Sequence, residues 1–125
     1  SILMNYSMDK TVYFKTLDQY KYNPAVIFSA EVGDQVIAAT TGVVKSIDKT
    51  AQTGTTVTVD IGNGYELIYG QLKEVPVKTG QSVTAKTTLG YVSEPTIYYS
   101  AEGSNVYFEM RKNGQPVNPI EFLVE

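Results

Sequence analysis

The 125-residue chain contains no histidine and no cysteine, and its ten Lys and Arg against thirteen Asp and Glu leave a net charge of −3. Zinc sites draw on Cys, His and Asp or Glu, so an ordinary zinc hydrolase centre is excluded, as are Ser-His and Cys-His nucleophile pairs. The acidic balance offers no basic face for nucleic acid, and no apolar run approaches the roughly 18 residues that a membrane span needs.

Ser1-Ile2-Leu3-Met4 reads as a cut boundary, which leaves room for an upstream targeting segment or anchor. Val12-Tyr13-Phe14 and Val26-Ile27-Phe28 are expected strands. The polar, tyrosine-rich stretch 15–24 between them is expected as a surface loop. Short strands follow at 36–39 and 42–48. Residues 55–61 alternate with period two, Val57, Val59 and Ile61 to one side and Thr56, Thr58 and Asp60 to the other. Gly62-Asn63-Gly64 is a tight-turn signal, and Tyr65-Glu66-Leu67-Ile68-Tyr69 returns as the partner strand. Further strands are expected at 83–84, 88–92 and 106–111, and a short turn or helix at 119–123. No stretch carries a helical apolar stripe of useful length. Regularly spaced short strands with glycine turns predict an all-β sandwich or barrel. With no low-complexity linker, residues 1–125 read as one domain, of which 1–22 form a less certain N-terminal strand and loop.

Two segments echo one another. Ala30-Glu31-Val32-Gly33-Asp34-Gln35-Val36 and Val77-Lys78-Thr79-Gly80-Gln81-Ser82-Val83 share the form x-x-x-Gly-polar-x-Val, and each leads to a further glycine, Gly42 or Gly90. This pattern suits a barrel-sandwich hybrid, with glycine at a tight bend and valine anchoring the next strand.

From Ala38 onward seven pieces stand in a recognisable order. They are 38–44 (Ala-Ala-Thr-Thr-Gly-Val-Val), 59–65 (Val-Asp-Ile-Gly-Asn-Gly-Tyr), Tyr69-Gly70-Gln71-Leu72, 77–83, Leu89-Gly90, 107–114 (Tyr-Phe-Glu-Met-Arg-Lys-Asn-Gly) and Pro116-Val117-Asn118-Pro119. Over 23–123 this order resembles the lysostaphin/LytM-type metallopeptidase domain. The resemblance implies an all-β, two-sheet barrel-sandwich hybrid with an open groove. It also implies that the family's ligand positions have changed. Asn23 and Ile27 stand where a His-x-x-x-Asp motif supplies zinc ligands. Gln71 stands at the histidine of Tyr-x-His-Leu, and Asn105 and Tyr107 at the two histidines of His-x-His. Asn and Gln are poor zinc ligands, Ile27 cannot coordinate, and Tyr107 alone would not hold a metal.

The chain therefore resembles the degenerate, sporulation-protein-Q-like pseudo-peptidases. What this implies is a catalytically inactive, extracytoplasmic module of the bacterial cell envelope, in sporulation or in regulating cell-wall hydrolases. Its expected partner is another envelope protein or a cell-wall hydrolase, with no cofactor, and with the membrane reached only through an upstream anchor. The alternative is a peptidoglycan-binding module without hydrolysis, for which Tyr65, Tyr69 and Tyr107 would line an aromatic groove. Tyr98 and Tyr99 belong to the same aromatic set. Three weaker readings lose to surface or packing roles. They are a lipoyl-type lysine at Lys49, a carboxylate pair among Asp60, Glu66 and Glu109, and a calcium loop among the scattered Asp9, Asp18, Asp34 and Asp48.

Overall fold

The structure, a computed structural model, describes residues 1–123. Its strands in chain order are β1 (Ile2–Met4), β2 (Ser7–Phe14), β3 (Gln19–Asn23), β4 (Ala25–Ser29), β5 (Gln35–Ile37), β6 (Gly42–Thr50) and β7 (Gly54–Gly62). There follow β8 (Tyr65–Lys73), β9 (Ser82–Val83), β10 (Thr88–Val92), β11 (Asn105–Lys112) and β12 (Gln115–Val117). A 3-10 helix spans Ile97–Glu102, and α1 spans Pro119–Leu123. A ten-stranded sheet runs β1-β4-β11-β8-β7-β6-β9, with β10 bridging β5 and β8 and β12 flanking β11. A second sheet is the β2-β3 hairpin alone. The expected all-β, two-sheet architecture is present, and it does not close into a barrel.

The β7-β8 hairpin follows from its residues. Val57 and Val59 are buried while Asp60 is exposed, as period-two alternation requires. The turn places Asn63 at φ 56° and Gly64 at φ 82°, the positive pair that suits the right-handed twist of a two-residue hairpin. Asn113-Gly114 repeats it between β11 and β12 with φ 49° and 82°. The two turns touch: Asn113 N–H donates to the Gly64 carbonyl at 2.8 Å. A Cβ on Gly64 would meet Asn113 Oδ1, and the residue would have to adopt a φ of 82°, which favours glycine here.

The sequence echo is a structural one. Asp34 N–H donates to the Glu31 carbonyl and Gln81 N–H to the Lys78 carbonyl. Gly33 and Gly80, at φ 93° and 90°, hold the third position of these turns, where positive φ favours glycine. The Asp34 and Gln81 side chains each accept the N–H that opens the turn, from Glu31 (2.9 Å) and Lys78 (3.1 Å).

The large sheet carries two cores, one on each face. On one face Val44, Val57, Val59, Leu67, Leu72 and Leu89 pack with Phe108 and Met110. On the other, Ala25, Ile27, Ile68 and Tyr107 are covered by Phe14 from β2 and Tyr99 from the 3-10 helix. Burying each large apolar side chain contributes on the order of 1.5–3 kcal/mol, so both layers matter. Here the stretch 15–24 departs from its expected loop. Tyr20, Lys21 and Tyr22 alternate as a strand, β3, and fold back on β2 with Tyr13 opposite Tyr20. Tyrosine's preference for pleated surfaces outweighs the polarity that suggested a loop.

Candidate functional site

Register brings three of the family-aligned positions toward one place. Tyr107 on β11 lies opposite Ile27 on β4 and Gly70 on β8, next to Gln71 in sequence. Ile27 and Tyr107 share the core capped by Phe14 and Tyr99, with Phe14 and Tyr99 ring centres 6.3 Å apart and Tyr99 and Tyr107 6.2 Å apart. Asn23, Ile27, Gln71 and Asn105 are all 0% exposed, and Tyr107 is 7% exposed. Nothing in the sequence announced this closure. Phe14 and Tyr99 are distant along the chain and meet only because the β2-β3 hairpin folds over the sheet.

The polar groups here are largely spent on the fold. Gln71 Nε2 donates to Thr96 Oγ1 (3.1 Å) and the Gln52 carbonyl (3.4 Å), while its Oε1 accepts Thr96 N–H (3.0 Å). Its backbone N–H donates to the Thr53 carbonyl at 2.6 Å. The residue thus ties the β6-β7 turn to the segment before the 3-10 helix. Asn23 Nδ2 donates to the Asn5 carbonyl (2.8 Å). Asn105 Nδ2 donates to the Gly103 carbonyl (2.7 Å), but its buried Oδ1 has no partner.

Beyond Tyr107 the same face stays open. A cavity of about 290 Å³ is lined by Thr50, Thr53, Thr56, Thr58, Glu109 and Arg111, among others. Buried Glu109 accepts Tyr107 O–H at 2.6 Å on one oxygen and Arg111 Nε–H at 2.6 Å on the other. Burial first, and then the Glu109 carboxylate, hold the Tyr107 phenol well above its usual range, so it stays a donor. Arg111 neutralises Glu109 and is itself half exposed. The open trough is therefore hydroxyl-rich, with Glu109 paired to Arg111 and Asp48 as a further carboxylate on its lining.

A zinc ion of the kind the family resemblance implies does not fit these donors. Three amides, an isoleucine and a protonated phenol do not make a zinc ligand set. Among the described residues no three of His, Cys, Asp and Glu gather as metal ligands. No catalytic step through a metal follows from this chain. The expected aromatic groove also needs correcting, because Tyr65, Tyr69 and Tyr107 do not share a surface. Tyr69 lies on the opposite face against Phe108, its hydroxyl accepting Ala39 N–H at 3.0 Å. Tyr65 packs on Phe122, under the Lys112 ammonium. Strand alternation sends odd- and even-numbered positions of β8 to opposite faces, and Tyr65 and Tyr69 take the face of the first core. Lys49 sits within β6 opposite Thr55 rather than at a hairpin tip. Glu66 pairs with Lys45, and Glu109 with Arg111, which leaves no free carboxylate pair there.

Residues 21–119 match peptidase family M23. The chain belongs to this family. Stage II sporulation protein Q of Bacillus subtilis (strain 168) is 33% identical over 88 residues, covering 70% of this chain and 31% of that protein. The DD-carboxypeptidase/endopeptidase Mpg of Neisseria meningitidis serogroup B (strain ATCC 13091 / M2091) is 27% identical over 104 residues, covering 83% and 23%. A chain of the solved SpoIIQ-SpoIIIAH pore-forming complex superposes with a TM-score of 0.79 at 25% identity, covering 98% of this chain and 83% of that one. This M23 chain thus spans about a third or less of the length of the two curated relatives. The proteins it is similar to include one named for hydrolysis and one solved in a pore-forming complex.

Proposed function

We propose that this chain is a catalytically inactive M23 domain of the bacterial cell envelope that works by binding another protein. The observation that carries the reading is the donor set: Asn23, Ile27, Gln71, Asn105 and Tyr107 are all buried, Ile27 and Tyr107 in one core with Phe14 and Tyr99, and none of the five is a zinc donor. Hydrolysis by this family's route needs an exposed metal with an open coordination position, and neither requirement is met by these residues. The likeness to Stage II sporulation protein Q, whose solved relative is a two-protein complex, supports protein binding as the retained task. A role in sporulation or in controlling cell-wall hydrolases, and an extracytoplasmic location, go with that reading. Fold and activity are separable in this way. The test is incubation of the chain with purified sacculi and zinc. No soluble fragments are expected, and fragments that a chelator abolishes would defeat the reading.

A second reading has its own observation. The hydroxyl-rich trough is open on the same sheet face, which suits a peptidoglycan strand bound without cleavage. Co-sedimentation with sacculi that Thr58→Arg eliminates would establish it in place of protein binding.

A further inference from the structure

We infer that Asn63 is a self-modification site, losing ammonia to the backbone nitrogen of Gly64 with the Lys112 ammonium promoting the attack. In an Asn-Gly pair the next backbone nitrogen can close a small ring on the asparagine side-chain carbonyl. Glycine has no Cβ to obstruct that approach. The chain has two such pairs, Asn63-Gly64 and Asn113-Gly114. Both lie exposed at hairpin tips, with the asparagine at φ 56° and 49°. They share a dipeptide and a turn geometry, so their surroundings decide which reacts.

The surroundings differ in three ways. Lys112 Nζ donates to the Asn63 carbonyl and stands over the Tyr65 ring, 4.2 Å from its centre. The nucleophile is Gly64 nitrogen once hydroxide has taken its proton, and the charge this leaves is shared with the Asn63 carbonyl oxygen. An ammonium on that oxygen stabilises charge where it develops. Asn113, by contrast, has its side chain against Gly64, where an added Cβ would meet its Oδ1, and its N–H bound to the Gly64 carbonyl at 2.8 Å. The ladders differ too. β11 and β12 pair without interruption from Met110 and Val117 to Lys112 and Gln115. The β7-β8 register shifts between Asp60 and Gly62, which loosens the hold on the Asn63 tip for the rotation that attack requires.

The chemistry balances with water alone. Gly64 N bonds to Asn63 Cγ, the Cγ–Nδ2 bond breaks, and ammonia leaves with the proton that Gly64 gave up. Water then opens the cyclic imide at either carbonyl. One opening leaves aspartate; the other leaves isoaspartate, whose backbone is longer by a methylene. Each product adds a negative charge beside Lys112. The longer backbone also draws the Gly64 carbonyl off the Asn113 N–H, so the change at one tip loosens the other. The joint between the two hairpins thus carries a one-way timer that needs only solvent.

The test ages the purified chain in mildly alkaline buffer and follows both tips by peptide mapping, with isoaspartyl methyltransferase as the reagent for isoaspartate. Asn63 should convert about fivefold faster than Asn113 or more. Lys112→Gln should cut that ratio to about half or less, whereas Lys112→Arg, which keeps a cation, should retain most of it. Each ratio is taken against the same chain unfolded in urea, because Lys112 also precedes Asn113 in the sequence. Amide spectra of the variants, unchanged away from the two tips, establish that they are folded. Equal conversion at both tips, faster conversion at Asn113, or a ratio that Lys112→Gln leaves unchanged would overturn the inference. So would a preference for Asn63 that survives in urea, since local sequence and not the fold would then set it.

Discussion

Gln71 holds a backbone conformation that its side chain disfavours. At φ 66° it sits in the left-handed region, which costs a non-glycine residue about 1–2 kcal/mol. Its N–H to Thr53 and its side-chain bonds to Thr96 and Gln52 offset that cost and join three segments. At the position expected from the resemblance to correspond to a histidine, this chain has a residue whose amide is spent on structure. Asn105 is the contrast, since its Oδ1 is buried without a partner, which costs of order 1–3 kcal/mol. Gln71→Ala should therefore destabilise the fold by about 2 kcal/mol or more, because Thr96 N–H loses its acceptor. Gln71→Gly should lose about 1 kcal/mol less, because glycine relieves the left-handed strain. Urea midpoints measure both. Equal midpoints for alanine and wild type would mean that Gln71 is not a clasp. The segment Tyr69-Gly70-Gln71-Leu72 drew attention to residue 71 in the sequence. Its bonds were not legible there, because Thr96 and Gln52 lie in loops that no periodicity locates.

The β2-β3 hairpin is the element that decides whether the site is open. Two strands alone are marginal in water, so the hairpin depends on Phe14 in the second core and on a polar latch at its tip. Thr16 Oγ1 donates to Glu102 Oε1 and accepts Ala101 N–H at 2.8 Å, and Thr16 N–H reaches Glu102 Oε2 at 3.4 Å. A hollow of about 240 Å³ beside the latch, lined by Thr16, Leu17, Ile97 and Tyr98, shows that packing there is incomplete. Removing the carboxylate with Glu102→Ala should raise amide exchange in β2 and β3 by about 5- to 30-fold, the effect of 1–2 kcal/mol. Exchange in β7 and β8 should stay as it was. If all four strands accelerate together, the hairpin is part of the global unfolding unit and not a separately latched cap. The elements that sequence reading placed well, β7, β8, β10 and β11, combine period-two alternation with Asn-Gly or glycine turns. β3 lacks such a turn and carries Lys and Gln among its tyrosines, so its polarity concealed it. The cap was illegible for a topological reason: its contacts join the N-terminal hairpin to the 3-10 helix near the far end of the chain.

Across the whole molecule, one sheet separates two cores, and each holds buried tyrosines. Tyr69 is in the first and Tyr99 in the second, and burial raises each phenol from 10.0 to about 12. Tyr107 is raised too, by burial and then by Glu109. A folded-state value above the unfolded one means that the native protein binds more protons between the two. The stabilisation is fully present below pH 10 and is lost as pH rises through about 12. The opposite end of the scale is quieter, since no histidine is available to titrate between pH 5 and 8. The denaturant midpoint should thus fall steeply between about pH 10 and pH 12, each phenol contributing a slope of at most about 1.4 kcal/mol per pH unit. Tyr69→Phe and Tyr99→Phe should each flatten that slope, and because the two residues lie on opposite faces of the sheet, their effects should add. A titration followed by tyrosinate absorbance would then show a late component that coincides with unfolding in the native chain and shrinks in each variant. Stability that holds level to pH 12 would mean that these phenols are not sealed between the layers, and the closed site built around Tyr99 would fall with them.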